Sequence, residues 1–211
     1  MCRTIFLFLL LVSGLCVQAQ YSGYKLLADA NDFKTKFTAA SQKTNTIKSD
    51  FIQEKELSML SEKIISKGKF WFKRENAVRM EYTTPFQYLM IINSGKIYIK
   101  DSQKENKISA KSNKLFEQIN KVMMDCVNGS ALSNPDFKTK VFEANDSYLV
   151  ELSPVNKNMK NLFQNINLVV GKKDYAVSKI EMHEPSGDNT IINYINREMN
   201  VNLPDALFAI N

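Results

Sequence analysis

Alternating apolar and polar positions run through most of the chain after residue 45 and predict a mainly β protein. Within Ile47–Leu57, residues 51, 53 and 55 belong to one face of a strand and residues 52, 54 and 56 to the other, as in a half-buried strand. Ten further segments repeat this pattern, separated by short turns rich in Gly, Asn, Asp, Ser and Pro. Such turns join antiparallel neighbours. The predicted strands are Ile47–Leu57, Lys63–Lys73, Ala77–Tyr82, Gln87–Asn93, Lys96–Asp101, Lys104–Ser109, Thr139–Ala144, Tyr148–Leu152, Asn165–Val170, Ala176–Glu184 and Thr190–Met199.

Two segments have helical periodicity instead. Leu26–Ala40 repeats apolar residues at helical spacing, and a second helix is predicted from Lys114 to a stop at Asn128-Gly129. Two helices cannot cover both faces of so large a sheet, so the sheet has to curl. We therefore expect an α+β, mainly β fold: one strongly curved antiparallel sheet of about eleven strands, an unclosed half-barrel. The helices would cover its concave apolar face as a lid, although a helix that only fills a packed core fits the same pattern.

The N-terminus has the layout of a secretory signal. Arg3 precedes the apolar run Ile5–Val12, and Val17-Gln18-Ala19 offers small residues for cleavage. We expect residues 1–19 to be removed and residues 20–211 to form a single exported domain. A retained N-terminal anchor and lipid attachment at Cys16 are the alternatives, and the bulky Leu15 before that cysteine disfavours the second. Cleavage would leave Cys126 alone, as a small buried hydrophobe without a disulfide.

Charge and composition argue against a nucleic-acid partner. The net charge is +6, but lysines supply most of it, and the arginines are only Arg3, Arg74, Arg79 and Arg197. Specific nucleic-acid binders cluster arginine beside aromatic side chains, whereas scattered lysine usually marks a solvated surface. The lysine-rich run 100–114 is either such a surface or an attraction for an anionic partner or membrane.

Residues for catalysis are sparse. His183 is the sole histidine, and alternation places it on the polar face with Lys179 and Glu181. The sequence lacks the cluster of His and Cys ligands that a zinc site needs, a glycine-rich phosphate loop, and a Gly-x-Ser-x-Gly motif. We expect no metal and no cofactor. Paired carboxylates can still meet in space, so a secreted hydrolase remains an alternative. Binding is favoured over catalysis.

Several motifs, in order and spacing, resemble the LolA family of periplasmic carriers of outer-membrane lipoproteins. The resemblance covers essentially the whole chain after the signal. It rests on Phe51-x-Gln53, Ser66-x-Gly68-Lys69-Phe70-Trp71-Phe72-Lys73-Arg74-x-Asn76, Arg79-Met80-Glu81-Tyr82, Pro85, Ile92-Asn93-Ser94-Gly95-Lys96, Leu152-Ser153-Pro154 and Leu203-Pro204 with Phe208.

The resemblance implies an unclosed antiparallel barrel whose helices close over an apolar cavity for acyl chains. It also implies that Arg74 is a latch that hydrogen-bonds into the lid. The family's usual proline after this arginine is Glu75 here. Arg79 is expected to form a cross-strand salt bridge. The expected cavity residues, each of which also suits an ordinary core, are Phe51, Phe70, Trp71, Phe72, Met80, Tyr82, Leu89, Ile91, Leu115, Phe116, Ile119, Met123, Ile180 and Met182.

The function implied is that of a soluble, monomeric periplasmic carrier rather than an enzyme. Its cargo would be acylated lipoproteins, loaded by an inner-membrane lipoprotein-releasing transporter and passed to an outer-membrane acceptor. A periplasmic protein of the same fold that binds or senses free lipid or glycolipid is the alternative.

Overall fold

Twelve strands form the frame of the protein in a computed structural model, which describes residues 21–60, 62–74, 77–101, 105–109, 122, 124–126 and 129–210. The predicted mainly β architecture is confirmed. The strands are β1 Lys25–Leu26, β2 Thr46–Glu56, β3 Lys63–Lys73, β4 Ala77–Thr84, β5 Tyr88–Asn93, β6 Lys96–Asp101, β7 Glu105–Ser109, β8 Phe137–Glu143, β9 Ser147–Pro154, β10 Asn165–Gly171, β11 Val177–His183 and β12 Asn189–Met199.

All twelve strands belong to one antiparallel sheet in the order β1-β8-β9-β10-β11-β12-β2-β3-β4-β5-β6-β7. The order joins two meanders, β8 to β12 and β2 to β7, through the pairing of β12 with β2. Within the described residues the sheet therefore has two edges, at β1 and β7, and is an unclosed half-barrel. Eleven strands correspond to the eleven predicted ones, and the two-residue β1 is additional.

The first helix, α1, spans Asn31–Lys43, so its predicted start at Leu26 is wrong. Leu26 instead pairs with Phe142 in β8. Further along the chain, the described residues 122 and 124–126 are helical, in agreement with the end of the second predicted helix, and the rest of that helix lies outside the described residues. The shorter helical segments are Lys157–Lys160 and the 3-10 turns Ser130–Ser133 and Asp205–Phe208.

The two faces of the sheet are both covered, by different parts of the chain. We call the inner face the one that packs against α1: Phe33 and Phe37 lie there among buried residues of β8 to β11 such as Val150 and Leu168. The outer face of β3 to β6 packs against the C-terminal segment 201–210, where Leu203 and Phe208 are buried. No helix among the described residues is long and apolar enough to cross a membrane.

Candidate functional site

The inner face carries half of the predicted cavity residues. Phe51, Phe70, Phe72 and Met80 are buried in one cluster there, with Tyr82 packed against it. Ile180 belongs to the neighbouring cluster under α1. Met182 and Tyr194 touch both clusters, so the inner apolar surface is continuous across β12.

Trp71, Leu89 and Ile91 lie on the other side of the sheet, which corrects their predicted place in the cavity. They pack on the outer face against the C-terminal segment. Successive strand residues point to opposite faces, so Trp71 cannot share a face with its neighbours Phe70 and Phe72. Four further predicted cavity residues lie outside the described residues, and their placement stays a prediction: Leu115, Phe116, Ile119 and Met123.

Arg79 also belongs to the outer face. Its Nη2 atom lies 2.7 Å from Glu81 Oε2, and its guanidinium lies 5.6 Å from the centre of the Trp71 ring. Nη1 donates to the Leu207 carbonyl at 3.3 Å. The predicted salt bridge exists, but its partner is two residues along the same strand rather than across the sheet.

A small apolar cavity lies between the C-terminal half of α1 and the inner face. Its volume is about 40 Å³, enough for a few waters but far below the roughly 300 to 1,000 Å³ of typical ligand sites. An acyl chain does not fit this space while α1 is in place. The lining comes from α1 and the residue after it, from β2, β3, β4, β11 and β12, from the turn between β10 and β11, and from Cys126. The residues are Phe37, Ala40, Ser41, Thr44, Ile47, Phe70, Val78, Cys126, Asp174, Tyr175, Ala176, Val177, Ile180, Tyr194, Arg197 and Met199.

Burial shifts three ionisable groups at this interior further towards their neutral forms. Burial raises the pKa of the Cys126 thiol and of the Tyr194 hydroxyl well above their ordinary values. Burial also raises the pKa of Tyr82 to about 12, and its hydroxyl donates to Gln53 Oε1 at 2.9 Å. Around neutral pH these groups add no charge to the interior, which suits an apolar ligand better than an ionic one.

Arg74 holds the end of α1. Its Nη2 atom donates to the carbonyls of Ser41, Gln42 and Thr44 at 2.7, 3.0 and 2.5 Å, and Nε donates to Asn45 Oδ1 at 3.1 Å. The last carbonyls of a helix have no partner within the helix and carry partial negative charge. A guanidinium donates hydrogen bonds to these carbonyls and its positive charge offsets their partial charge. The geometry joins β3 to the end of α1 beside the cavity. Glu75 lies outside the described residues.

A second arginine lies at the cavity rim, where the sequence pattern did not predict one. Arg197 on β12 pairs with Asp174 Oδ2 at 2.5 Å and donates to the Val177 carbonyl at 2.8 Å. This links β12 to the turn between β10 and β11, next to Tyr175. The signal in the sequence that could have drawn attention to Arg197 is that the chain has only four arginines. The contact itself depends on a bulge between Ile195 and Glu198 that alternation does not reveal.

Gly129 lies in close contact with α1. Its φ is +75°, and an added Cβ would lie 2.6 Å from Ser41 Oγ and 2.7 Å from Ser41 Cβ. We expect Gly129→Ala to lower the free energy of unfolding by about 2 to 4 kcal/mol, through left-handed strain plus displacement of α1. Urea unfolding measures the loss.

Gly95→Ala is the matched control for this prediction. Gly95 also has a φ of +75°, but an added Cβ would meet no heavy atom within 4 Å. Its cost is therefore the backbone strain alone, about 1 to 2 kcal/mol. Equal losses for the two variants would show that the close approach of Gly129 to α1 does not matter.

The described residues thus form one antiparallel sheet whose apolar inner face is covered by a helix. Residues 42–211 match the model of the family described as outer membrane lipoprotein carrier protein LolA. The chain belongs to this LolA family, and the predicted family membership is confirmed. The family is one of carriers, and the matched range includes Arg74 and the inner-face residues described above. No curated protein matches the chain.

Solved structures share the fold at low sequence identity. An uncharacterized conserved protein from Thermus thermophilus has a TM-score of 0.51 at 8% identity, over 85% of this chain and 93% of that one. The MucA/MucB complex of Pseudomonas aeruginosa has a TM-score of 0.50 at 11% identity, over 87% of this chain and 62% of that one. A LolA superfamily protein from Nitrosomonas europaea has a TM-score of 0.46 at 11% identity, over 87% of this chain and 99% of that one.

Proposed function

We propose that this chain is a periplasmic carrier that shelters the acyl chains of lipoproteins between its inner face and α1. It would take them from an inner-membrane lipoprotein-releasing transporter and pass them to an acceptor at the outer membrane. The observation that carries the proposal is the apolar cavity under α1. Arg74 holds the end of this helix beside the cavity, and the chain belongs to the LolA family. The signal-like N-terminus supports export.

The small volume of the cavity fits a carrier that is closed when empty. Burying one acyl chain of roughly sixteen carbons gains on the order of 10 kcal/mol. A permanently open cavity would keep that whole gain and release its cargo slowly. Here the cargo has to displace α1, so the free energy of closing opposes binding. The net affinity then stays low enough for transfer to a better acceptor.

Photo-crosslinking tests the proposal with a control in the neighbouring residue. A photoreactive phenylalanine analogue replaces Phe70 on the inner face, or Trp71 on the outer face of the same strand. During lipoprotein release from spheroplasts, position 70 is expected to trap acylated lipoprotein, and position 71 is expected to trap none.

A lipoprotein whose acylated cysteine is changed to serine serves as the cargo control. Equal trapping at positions 70 and 71, or equal trapping of acylated and unacylated cargo, would contradict the proposal.

Binding of a free lipid is the second candidate, favoured by Arg197 and Asp174 at the cavity rim. This ion pair gives an apolar cavity a polar rim, which suits an amphiphile whose polar head stays at the rim. Native mass spectrometry of the purified protein separates the two candidates. A stable adduct with free lipid, together with no trapping of lipoprotein at position 70, would favour the lipid binder.

A further inference from the structure

The turn between β10 and β11, residues 171–176, lies at the rim of the cavity and contacts α1. The centre of the Tyr175 ring lies 6.3 Å from that of Phe33 on α1. The same ring stacks on Tyr148 of β9 at 6.1 Å, and Tyr148 in turn lies 4.5 Å from Phe33. Asp174 and Tyr175 both line the cavity. The turn therefore closes part of the cavity and holds the first half of α1 through aromatic contacts.

Tyr175 has an unfavourable backbone conformation. Its φ is +52°, in the left-handed region that is costly for a bulky side chain. Hydrogen bonds within the turn hold it there: the Tyr175 N–H donates to the Gly171 carbonyl at 3.0 Å, and Asp174 Oδ1 accepts from the Ala176 N–H at 3.1 Å. Residues held in such conformations cluster at ligand clamps and switch segments. The closed position of this turn is thus maintained against local strain.

Arg197 supplies the contact that fixes the turn to the sheet. Its Nη2 pairs with Asp174 Oδ2 at 2.5 Å, and its Nη1 donates to the Val177 carbonyl at 2.8 Å. The Arg197 side chain is 17% exposed and that of Asp174 39%, so water screens the pair only in part. One planar guanidinium holds two points of the chain on either side of Tyr175 and Ala176. Without it, the strain at Tyr175 favours movement of the turn.

The start of the turn is fixed separately, away from Arg197. Lys172 Nζ lies 2.6 Å from Glu143 Oε1, and the Lys172 backbone N–H donates to the Asp146 carbonyl at 3.0 Å. These contacts join the start of the turn to β8 and to the β8–β9 turn. Residues 174–176 can therefore move while residue 172 stays in place, and the only side-chain ion pair given to residues 174–176 in the described part of the chain is the one with Arg197.

We propose that residues 174–176 form a second clasp on α1, with Tyr175 as the side chain that contacts the helix and Arg197 as the positioning residue that keeps the clasp closed. The helix is then held at two points, at its last carbonyls by Arg74 and at Phe33 by the clasp. Release of either contact shifts the same equilibrium towards the open cavity. The inference rests on the proposed function for the role of the cavity and deepens it by naming what controls its opening.

Two measurements without lipoprotein report this opening. One is alkylation of Cys126, which is buried and lines the cavity, in the full chain with Cys2 and Cys16 changed to serine. The other is binding of the apolar dye N-phenylnaphthylamine, which the closed cavity is too small to hold. We expect Arg197→Leu to raise both the alkylation rate and the dye affinity by about 3- to 10-fold, the effect of losing a partly exposed ion pair. A gain in affinity beside a loss of stability in urea is the signature of a clasp, because a merely structural residue lowers stability alone.

Conservative and paired variants locate the effect at the ion pair. Arg197→Lys retains a cation that can reach Asp174 and is expected to restore most of the wild-type behaviour. Asp174→Asn retains an acceptor for the Ala176 N–H but loses the charge, so it should match Arg197→Leu. The double variant should open no further than either single one, because both remove the same contact.

Tyr175→Gly separates the clasp from the stability of the turn. Glycine adopts a positive φ readily, so this variant removes the ring and the backbone strain together. We expect it to raise the dye affinity at least as much as Arg197→Leu does. Glu198→Gln is the matched control, because Glu198 follows Arg197 on β12 but pairs with Lys48 of β2, at 2.7 Å. This control is expected to behave like the wild type in both measurements.

Three outcomes would overturn the clasp. One is wild-type alkylation and dye affinity in Arg197→Leu or Tyr175→Gly. Another is an equal effect of Glu198→Gln, and the third is full additivity of Arg197→Leu and Asp174→Asn. If these variants behave as expected while position 70 traps no lipoprotein, the clasp stands and the carrier role alone is lost.

Discussion

Arg74→Leu is expected to tighten the retention of cargo and slow its hand-off. The guanidinium donates to three carbonyls at the end of α1 and to Asn45. Its loss should weaken the closed position of α1 by about 1.5 to 3 kcal/mol, the usual range for hydrogen bonds to a charged group. Since closing opposes cargo binding, the dissociation constant for acylated cargo should fall about 10- to 100-fold.

Cys126 gives an independent readout of α1 opening in the same variant. The thiol is buried under α1 and its pKa is raised. A variant that begins at Gln20 lacks Cys2 and Cys16. Alkylation of Cys126 in that variant therefore requires local opening. Alkylation should be faster in Arg74→Leu by a factor similar to the change in affinity. This measurement reports the latch even where transfer assays fail.

Arg79→Leu is the control for the charge change. Arg79 is a strand arginine five residues from Arg74, with hydrogen bonds of its own, but it lies on the outer face against Trp71 and Glu81. Its replacement should cost some stability and leave both transfer and Cys126 alkylation unchanged. If Arg74→Leu transferred cargo at the wild-type rate, Arg74 would have no latch role.

The strands could be predicted well because the pattern that indicates a strand lies within the strand and its adjoining turns. Alternation and short turns give the bounds of Lys63–Lys73 and Lys96–Asp101 without error. The start of α1 was missed because Leu26 and Leu27 continue the helical period of Phe33 and Phe37 in sequence. A non-local pairing with β8 takes Leu26 into a strand instead.

The faces of β5 could not be predicted from hydrophobicity alone. Both are apolar, because the C-terminal segment covers the outer one, so Leu89 and Ile91 looked equivalent to their inward neighbours. Trp71 of β3, in contrast, shares its face with Lys69 and Lys73, and its prediction as a cavity residue overlooked that alternation. The Arg74 contact was expected from the family resemblance, whereas the Arg197–Asp174 pair joins residues on different strands and turns through an irregular bulge. Contacts of this kind can be identified only once the arrangement of the strands in the sheet is known.

Gly68→Ala is expected to cause the largest loss of stability of any single methyl addition proposed here. An added Cβ would lie 2.2 Å from the Glu81 carbonyl oxygen and 2.7 Å from Phe51 Cζ. Gly68 sits at an irregularity in the β3–β4 pairing, directly across from Phe51 in β2. The backbone of β4 and a buried ring both have to move, so we expect a loss of about 3 kcal/mol or more, measured by urea unfolding.

Two comparisons show which contact dominates in Gly68→Ala. Gly171→Ala also adds a methyl to a strand, but its Cβ would meet only a side-chain atom, Asp174 Oδ1, at 3.1 Å. Its cost should stay below about 1 kcal/mol. Adding Phe51→Leu to Gly68→Ala removes the ring clash but leaves the Glu81 carbonyl in place. Phe51→Leu alone also costs stability, because this ring is buried, so the double variant is compared with Phe51→Leu. Gly68→Ala should cost nearly as much in the Phe51→Leu background as in the wild type, and a cost near zero would mean that the backbone of β4 yields easily and the ring alone excludes a side chain at residue 68.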